Sequence, residues 1–259
     1  MKILALDSSG LVASVAVMED DRLLAEYTIQ YKKTHSQTLL PMLDEIRNMI
    51  ELDLSTVDAI AVAAGPGSFT GLRIGSATAK GLALALDRPI VPVPTLEGLA
   101  YQMYAADGLI CPIMDARREQ VYTGIYRFVP EGERQQHCCM ETVREQCAVS
   151  FDEIAQELNR LGQKVYFVGD GIPVFAERMK EQMQVPYETA PAHRNRQSAA
   201  CIAVLGSIYY RQGKFESGAE HAPEYLRLSQ AERERAGRKE TDNAHKYPGP
   251  FEGKYHVGV

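Results

Sequence analysis

The chain has 259 residues, of which 45% are hydrophobic and 24% charged, and its 28 lysines and arginines against 34 aspartates and glutamates give a net charge of −6. These proportions are typical of globular proteins and exclude wholesale disorder, while the acidic balance argues against a self-sufficient nucleic-acid binder. No apolar run approaches the roughly 18 residues of a membrane helix. Five cysteines without a C-x-x-C motif exclude a disulfide framework. We therefore expect a reduced, cytoplasmic protein that does not associate with membranes.

The chain opens with three short strands. Residues 3–7 form an apolar run, and two further strands, at 12–18 and 23–29, are joined by a polar tip of hairpin length. This pattern predicts an antiparallel meander whose first strand lies centrally in a sheet.

Two helices follow, separated by a buried strand at 58–64 and a tight loop at 65–71. The first helix, at 35–50, repeats apolar residues every three or four positions. Pro41 is a difficulty there, because a proline inside a helix deletes one backbone hydrogen bond. The second helix runs from the loop to residue 86.

The second helix carries an unusual row of small residues. They fall four positions apart, on one ridge of the helix, at Gly71, Gly75, Ala79 and Ala83. Each interior glycine costs about 1 kcal/mol relative to alanine, so the close approach of another helix along this ridge is expected to offset the cost. That helix belongs either to the same chain or to a partner, and the pattern alone leaves both open.

The second half repeats the order of the first. After an extended crossover at 88–94 and a helix capped by Thr95, the predicted elements in chain order are a strand at 109–114, a polar turn at 115–119, a strand at 120–128, a helix capped by Ser150, a strand at 165–168 and a helix at 197–211. Two similar halves predict a duplicated α/β fold, with lobes at 1–104 and 105–228. Residues 229–259 are rich in charge, glycine and proline, and we expect a mobile tail there.

Two loops are candidate phosphate sites. The loop at 65–71 leads into a helix N-terminus, where free N–H groups and the helix dipole favour an anion. The turn after the first strand offers a carboxylate and hydroxyls that suit Mg²⁺ and phosphate. The candidate residues are Asp7, Ser8, Ser9, Gly67 and Ser68. In both loops a tight structural turn explains the composition at least as well, and residues 169–171 present the same choice in weaker form.

Signs of catalysis are missing from the sequence. The six histidines include no pair four positions apart, as two ligands on one helix face would be, and no G-x-S-x-G motif occurs. We therefore predict no catalytic residue and no metal site.

Six sequence motifs resemble those of one known family. In chain order they are Asp7-Ser-Ser, His35-Ser-Gln-Thr-Leu-Leu-Pro, Ala64-Gly-Pro-Gly-Ser-Phe-Thr-Gly-Leu-Arg-Ile-Gly75, Pro94-Thr-Leu-Glu-Gly-Leu-Ala, Asp115-Ala-Arg and Pro223-Glu-Tyr-Leu-Arg. Their order, and the long third motif above all, is similar to the TsaB (YeaZ) family of bacterial tRNA threonylcarbamoyladenosine biosynthesis proteins. The resemblance covers residues 1–228.

The resemblance implies an actin-like/Hsp70-like ATPase fold of the RNase H-like class, with two duplicated lobes. It also implies a non-catalytic subunit that activates TsaD, the paralogue that transfers a threonylcarbamoyl group onto the adenosine beside the anticodon of ANN-decoding tRNA. TsaE, an ATPase, would complete the assembly, and the chain alone would form a homodimer. The net charge of −6 agrees with indirect contact to tRNA, which TsaD would grip. No peptidase activity is expected. No cofactor is expected in the isolated chain, and ATP or ADP at the interface of the complex stays an open alternative.

The resemblance also implies where the partner binds. In this family the first two helices form a four-helix bundle with the same pair of TsaD or of a second copy. Carried over to this sequence, the implied interface consists of Leu39, Leu43, Ile46, Gly71, Leu72, Gly75, Ala79 and Leu82. A Gly75→Trp variant is accordingly expected to lose its partner while the lobe stays folded.

Two other function classes remain as alternatives. An ATP-dependent, small-molecule kinase-like enzyme of the same fold would hold Mg²⁺ through Asp7, but no general base is evident for it. A metallopeptidase has the least support, because the sequence offers no histidine pair for a metal.

Overall fold

The structure, a computed structural model, describes residues 1–132 and 137–227. The strands of the first half are β1 (Lys2–Asp7), β2 (Ala13–Glu19), β3 (Arg22–Ile29), β4 (Ala59–Gly65) and β5 (Ile90–Pro94). Its helices are α1 (His35–Met49), α2 (Phe69–Leu86) and α3 (Thr95–Tyr101). The five strands form one sheet in the order β3-β2-β1-β4-β5.

The second half repeats this set of elements. Its strands are β6 (Leu109–Asp115), β7 (Gln120–Glu131), β8 (His137–Ser150), β9 (Val165–Val168) and β10 (Tyr187–Thr189). Its helices are α4 (Phe151–Leu161), α5 (Ile172–Gln182) and α6 (Ala199–Arg211). The second sheet has the order β10-β9-β6-β7-β8.

The two sheets share one topology. The first strand of each half is central: β1 pairs antiparallel with β2 and parallel with β4, and β6 pairs antiparallel with β7 and parallel with β9. Counted from the hairpin edge, both sheets run third, second, first, fourth and fifth strand. The predicted duplicated α/β fold and the central place of the first strand are confirmed.

Helices cover both faces of the first sheet. On one face α1 and α2 bury Leu39 and Leu72, and on the other α6 packs Ile202 against Ile3 and Ala61. Because β1 and β4 are buried on both sides, their sequences are continuously apolar rather than alternating. The predicted lobe boundary assigns α6 to the second lobe, whereas α6 packs on the first sheet. The division into lobes stays a prediction.

Of two helix caps predicted from local sequence patterns, one is correct and one is not. The hydroxyl of Ser150 accepts a hydrogen bond from Glu153 N (3.2 Å) and caps α4, as the capping box predicts, and Gly162 ends that helix. Thr95 does not cap α3, because it is the first residue of that helix and its hydroxyl instead accepts from Gly65 N (3.2 Å) at the end of β4. This part of the prediction was wrong.

Other elements follow no simple sequence pattern. The strands β8 and β10 and the helix α5 were not predicted. For β8 the reason is that most of its side chains are only partly buried, so its sequence shows no alternation of apolar and polar residues. The helix α1 continues through Pro41. Among the described residues, no helix combines the length and the apolar character that crossing a membrane requires. The predicted tail at 229–259 lies outside the described residues.

Candidate functional site

The small-residue ridge of α2 faces the turn that follows β1. A β-carbon on Gly71 would overlap the carbonyl oxygen of Ser8, and one on Gly75 would overlap the Ser8 hydroxyl. Further along the ridge, Ala79 and Ala83 are buried in the core shared with α1. The ridge therefore serves packing within the chain, and the element that approaches it closely is a turn rather than a helix.

The residues predicted for the partner interface lie on this inward side of the two helices. Seven of its eight residues are buried inside the chain: Leu39, Leu43, Ile46, Gly71, Leu72, Gly75 and Ala79. Only Leu82 is partly exposed. Amphipathic periodicity marks the buried face of a helix, and here that face packs on the chain's own sheet. The assignment of these eight residues to a partner interface stays a prediction.

The outward face of α2 carries a second row of small residues. Its small residues are Ala77, Gly81 and Ala85, spaced by four and preceded at the same interval by Arg73, and all four are exposed. Beside this row Leu84 is 87% exposed, and nothing lies within 4 Å of a β-carbon built on Gly81.

The neighbouring helix α1 adds Leu40 and Met49, which are 54% and 80% exposed. We call α2 residues Arg73, Ala77, Gly81, Leu84 and Ala85, together with Leu40 and Met49, the outer helix face. The sequence contained a sign of this face, because Gly81 is a glycine in the interior of a helix that does not belong to the inward ridge.

The turn after β1 is a closed hydrogen-bonded unit. Asp7 is buried, and its Oδ1 accepts hydrogen bonds from Ser9 N (2.9 Å) and Ser9 Oγ (2.6 Å). Burial raises the pKa of Asp7 to about 6, against the opposing effects of the Ser9 hydrogen bonds and the charge of His35. His35 also contacts the turn directly, with Nε2 2.9 Å from Gly10 O.

The five predicted phosphate-site residues lie together, and they bind one another. Ser8 Oγ donates to Gly71 O (2.8 Å), and Ser68 N donates to Ser9 O (2.7 Å). A β-carbon on Gly67 would overlap Ser9 O, and Ser68 Oγ accepts from Gly71 N (3.3 Å) as the cap of α2. The interpretation as tight structural turns explains this geometry better than a phosphate cradle does.

The C-terminal motif at 223–227 packs on the same loop. Glu224 N donates to Ala64 O (2.7 Å), and Gly65, at φ +123°, leaves no room for a β-carbon beside Glu224 O. Two motifs that are far apart in sequence thus stabilise one loop.

The aromatic ring of Tyr225, in the 223–227 motif, reaches the outer helix face. The ring of Tyr225 lies 4.9 Å from that of Phe69, and Arg73 Nε donates to the Tyr225 hydroxyl (3.3 Å). The Arg73 guanidinium also lies over Phe69, 3.9 Å from the ring centroid. One end of the outer helix face is therefore fixed by an aromatic–arginine cluster, a composition that is enriched at protein interfaces.

The Asp115 motif lies at a different place, the turn between β6 and β7. Arg117, Arg118 and Glu119 all have positive φ angles there, of 64°, 55° and 61°. Partly buried Asp170 lies nearby. Its burial raises its pKa, against the opposing effect of the Arg196 charge. The polar turn was predicted, but its left-handed backbone was not.

Within residues 1–132 and 137–227, no three His, Cys, Asp or Glu side chains are grouped closely enough to hold a metal ion.

Known proteins resemble this chain along most of its length. The family model for TsaD, tRNA N6-adenosine threonylcarbamoyltransferase, matches residues 22–235. The tRNA threonylcarbamoyladenosine biosynthesis protein TsaB of Bacillus subtilis is 35% identical over 236 residues, which cover 90% of this chain and 96% of that protein. TsaB of Haemophilus influenzae is 30% identical, with 88% and 94% covered.

A solved structure supports the same relationship. YeaZ from Pseudomonas aeruginosa superposes with a TM-score of 0.71 at 28% identity, covering 87% of this chain and 99% of that one. A second structure from that organism, described as an uncharacterized protein with similarity to peptidase YEAZ, gives a TM-score of 0.72 at 29% identity with the same coverage. Together with the duplicated sheets, these matches confirm the predicted fold class.

Proposed function

The chain belongs to the TsaB (YeaZ) family of tRNA threonylcarbamoyladenosine biosynthesis proteins, and from this premise we propose that it is a non-catalytic scaffold subunit that binds and activates TsaD. The observation that carries the proposal is the outer helix face. Leu84 is 87% exposed beside a row of small residues that are not needed for packing within the chain. Contiguous apolar surface of this kind usually marks an interface.

The outer helix face suits a partner helix. An exposed glycine inside a helix costs about 1 kcal/mol relative to alanine, so Gly81 needs a compensating role. Small residues spaced by four form a groove, into which a ridge of a second helix packs at an interaxial distance of about 8–10 Å. Leu84, beside the groove on the same helix, supplies apolar area. We propose that α1 and α2 form a four-helix bundle there with the corresponding pair of TsaD.

The same face would also pair two copies of this chain in the absence of TsaD. A two-fold dimer needs only one self-complementary patch, and a groove of small residues flanked by leucines provides it. We therefore propose a homodimer that TsaD replaces, with TsaE joining the complex and tRNA reached mainly through TsaD.

A role without catalysis is supported by the turn after β1. The kinase-like alternative needs Asp7 to hold Mg²⁺, but Asp7 Oδ1 is engaged with Ser9, and Ser8 is engaged with Gly71. No observation in the described residues favours that alternative.

The proposal is tested by size exclusion with light scattering on the full chain, alone and mixed with TsaD of its own organism. We expect a homodimer that converts into a one-to-one heterodimer. Gly81→Trp is expected to abolish both species, whereas Gly81→Ala, which adds one small group in open space, retains them. A wild-type chain that ignores TsaD, or a Gly81→Trp chain that still binds it, would overturn the proposal.

A further inference from the structure

A surface pocket lies where the β6–β7 turn meets the first half of α5. Its volume is about 350 Å³, and three arginines line it: Arg117 and Arg118 from the turn and Arg178 from α5. Two carboxylates, those of Asp115 and Glu119, share its walls. Arg117 and Asp115 belong to the fifth sequence motif, whereas Arg118 and Arg178 lie outside all six motifs and outside the outer helix face.

The left-handed turn is held in place by its first residue. Asp115 Oδ1 accepts from Arg117 N (2.7 Å), and Asp115 Oδ2 lies 3.0 Å from Arg117 Nη1. Three consecutive non-glycine residues with positive φ are sterically unfavourable, so such a turn persists only where its surroundings enforce it. The enforced backbone brings Arg117, Arg118 and Glu119 to the rim of one pocket.

The ion pairs inside the pocket leave it ready for an anion. Arg178 Nη2 lies 3.1 Å from Glu119 Oε1, and Arg178 Nη1 lies 3.5 Å from Asp152 Oδ1. The side chain of Glu119 is 78% exposed, so its carboxylate can leave Arg178 at little cost in burial. Within the described ranges Arg118 forms no ion pair. Glu119 thus occupies a position that an incoming anion would take.

We propose that this pocket binds a phosphate group, supplied by the backbone of an RNA. Guanidinium groups match phosphate oxygens with two parallel hydrogen bonds, which makes arginine the preferred residue for this ligand. The pocket is larger than one phosphate, and Val174, 58% exposed on its wall, offers an apolar contact for an adjoining sugar. The choice of RNA over a free phosphate rests on the proposed function, in which a tRNA is brought to the complex.

The proposal adds a direct contact between this chain and the tRNA, which would otherwise be bound through TsaD. An RNA bound by TsaD would make a second, weaker contact with this chain, and this contact would fix the orientation of the RNA. Because each phosphate contact releases counterions, the contact should weaken as salt rises.

The test measures binding by the full-length chain without TsaD. Fluorescence anisotropy at low salt follows a labelled tRNA transcript, and inorganic phosphate and ATP serve as competitors. We expect Arg118→Ala and Arg178→Ala each to weaken tRNA binding roughly tenfold and to lower the salt slope by about one. Glu119→Gln, which removes the competing carboxylate, is expected to strengthen binding.

Arg160→Ala is the matched control, since Arg160 is an exposed arginine of α4 outside the pocket. Competition by millimolar phosphate or ATP would identify a free phosphate as the ligand, and its absence would identify the RNA backbone. Wild-type chain that binds none of the three probes, or pocket variants that bind like Arg160→Ala, would overturn the proposal. Since Arg118 forms no ion pair in the described ranges, its variant is expected to stay folded, and circular dichroism verifies this. TsaD binding is measured separately, so failure of this pocket is distinguishable from failure of the scaffold role.

Discussion

Gly75 of α2 and Ser8 of the turn after β1 lie so close together that a single added carbon on Gly75 would overlap the Ser8 hydroxyl. The hydroxyl is itself fixed, because Ser8 Oγ donates to Gly71 O (2.8 Å) one turn earlier in the same helix. The helix and the first strand are thereby joined at a contact that only glycine permits. Gly81, in the same helix, faces open space instead.

Substitutions at these two glycines should have opposite effects on stability. Gly75→Ala forces Ser8 or the helix to move, and overpacking of this kind costs about 1–3 kcal/mol. Gly81→Ala adds a methyl group in open space and removes backbone freedom from the unfolded chain, which should stabilise by about 0.5–1 kcal/mol. Urea unfolding followed by circular dichroism measures both.

A second substitution separates overpacking from a general helix effect. Ser8→Gly removes the hydroxyl, so it should cost less in the Gly75→Ala background than in the wild type. Equal free energies of unfolding for Gly75→Ala and Gly81→Ala would contradict the packing described here.

The contrast between these glycines shows what the sequence was able to predict. The opening meander, its central first strand and the Ser150 cap were predicted from local patterns, because those patterns involve residues close together in sequence. Gly75 and Gly81 are alike locally, and only the position of Ser8 tells the inward one from the outward one. The residues predicted for the interface lie on the buried side of helices that were themselves predicted correctly.

The two candidate phosphate loops also depend on contacts between distant residues. The two predicted phosphate loops did come together, but as hydrogen-bond partners of each other. The arginine pocket was missed because Arg117 and Arg118 adopt left-handed conformations without the glycine or asparagine that would signal such a turn.

Leu84→Ala should weaken binding to TsaD without affecting folding. Its side chain is 87% exposed in the free chain, so its loss is expected to change the free energy of unfolding by less than about 0.5 kcal/mol. If Leu84 is buried in the complex, truncation should cost more than about 1 kcal/mol of binding, or at least roughly a fivefold rise in Kd. Isothermal titration calorimetry measures this, with Val174→Ala as an exposed control outside the outer helix face. Equal Kd values for the two variants would exclude Leu84 from the interface.

Asp7→Asn should stabilise the chain at neutral pH. The pKa of Asp7 is about 6 in the folded chain against an ordinary value of 3.8 in the unfolded chain, so between these pH values the folded state binds more protons than the unfolded state. Stability contributed by protonated Asp7 is therefore present below pH 3.8 and is lost as pH rises through 6. Asparagine stays neutral and keeps an oxygen to accept both hydrogen bonds from Ser9.

The expected gain at pH 7.5 is on the order of 2–3 kcal/mol, and it should vanish near pH 4. Chemical denaturation of both proteins from pH 4 to pH 8 measures the difference. A gain that is the same at both ends of this range would show that Asp7 is not the titrating group.

Glu26 should stabilise α6 across a long separation in sequence. Its Oε1 accepts from Ser198 Oγ (2.7 Å) and Ala200 N (3.2 Å) at the N-terminus of α6, where the helix dipole favours a negative charge. Ser14 Oγ accepts from Ala199 N (2.9 Å), so two strands of the first sheet cap this helix. Glu26→Gln keeps an acceptor and loses only the charge, whereas Glu26→Ala loses both.

We expect Glu26→Gln to lower the free energy of unfolding by about 0.3–1 kcal/mol and Glu26→Ala by about 1–2 kcal/mol. Because Glu26 is exposed, the Gln effect should shrink in 1 M NaCl, where the Debye length is about 3 Å, while the additional loss in the Ala variant should persist. Denaturation at two salt concentrations measures both quantities. If the two variants have the same stability at high salt, the carboxylate acts through its charge alone, and the hydrogen bonds to α6 contribute nothing to holding that helix on the first sheet.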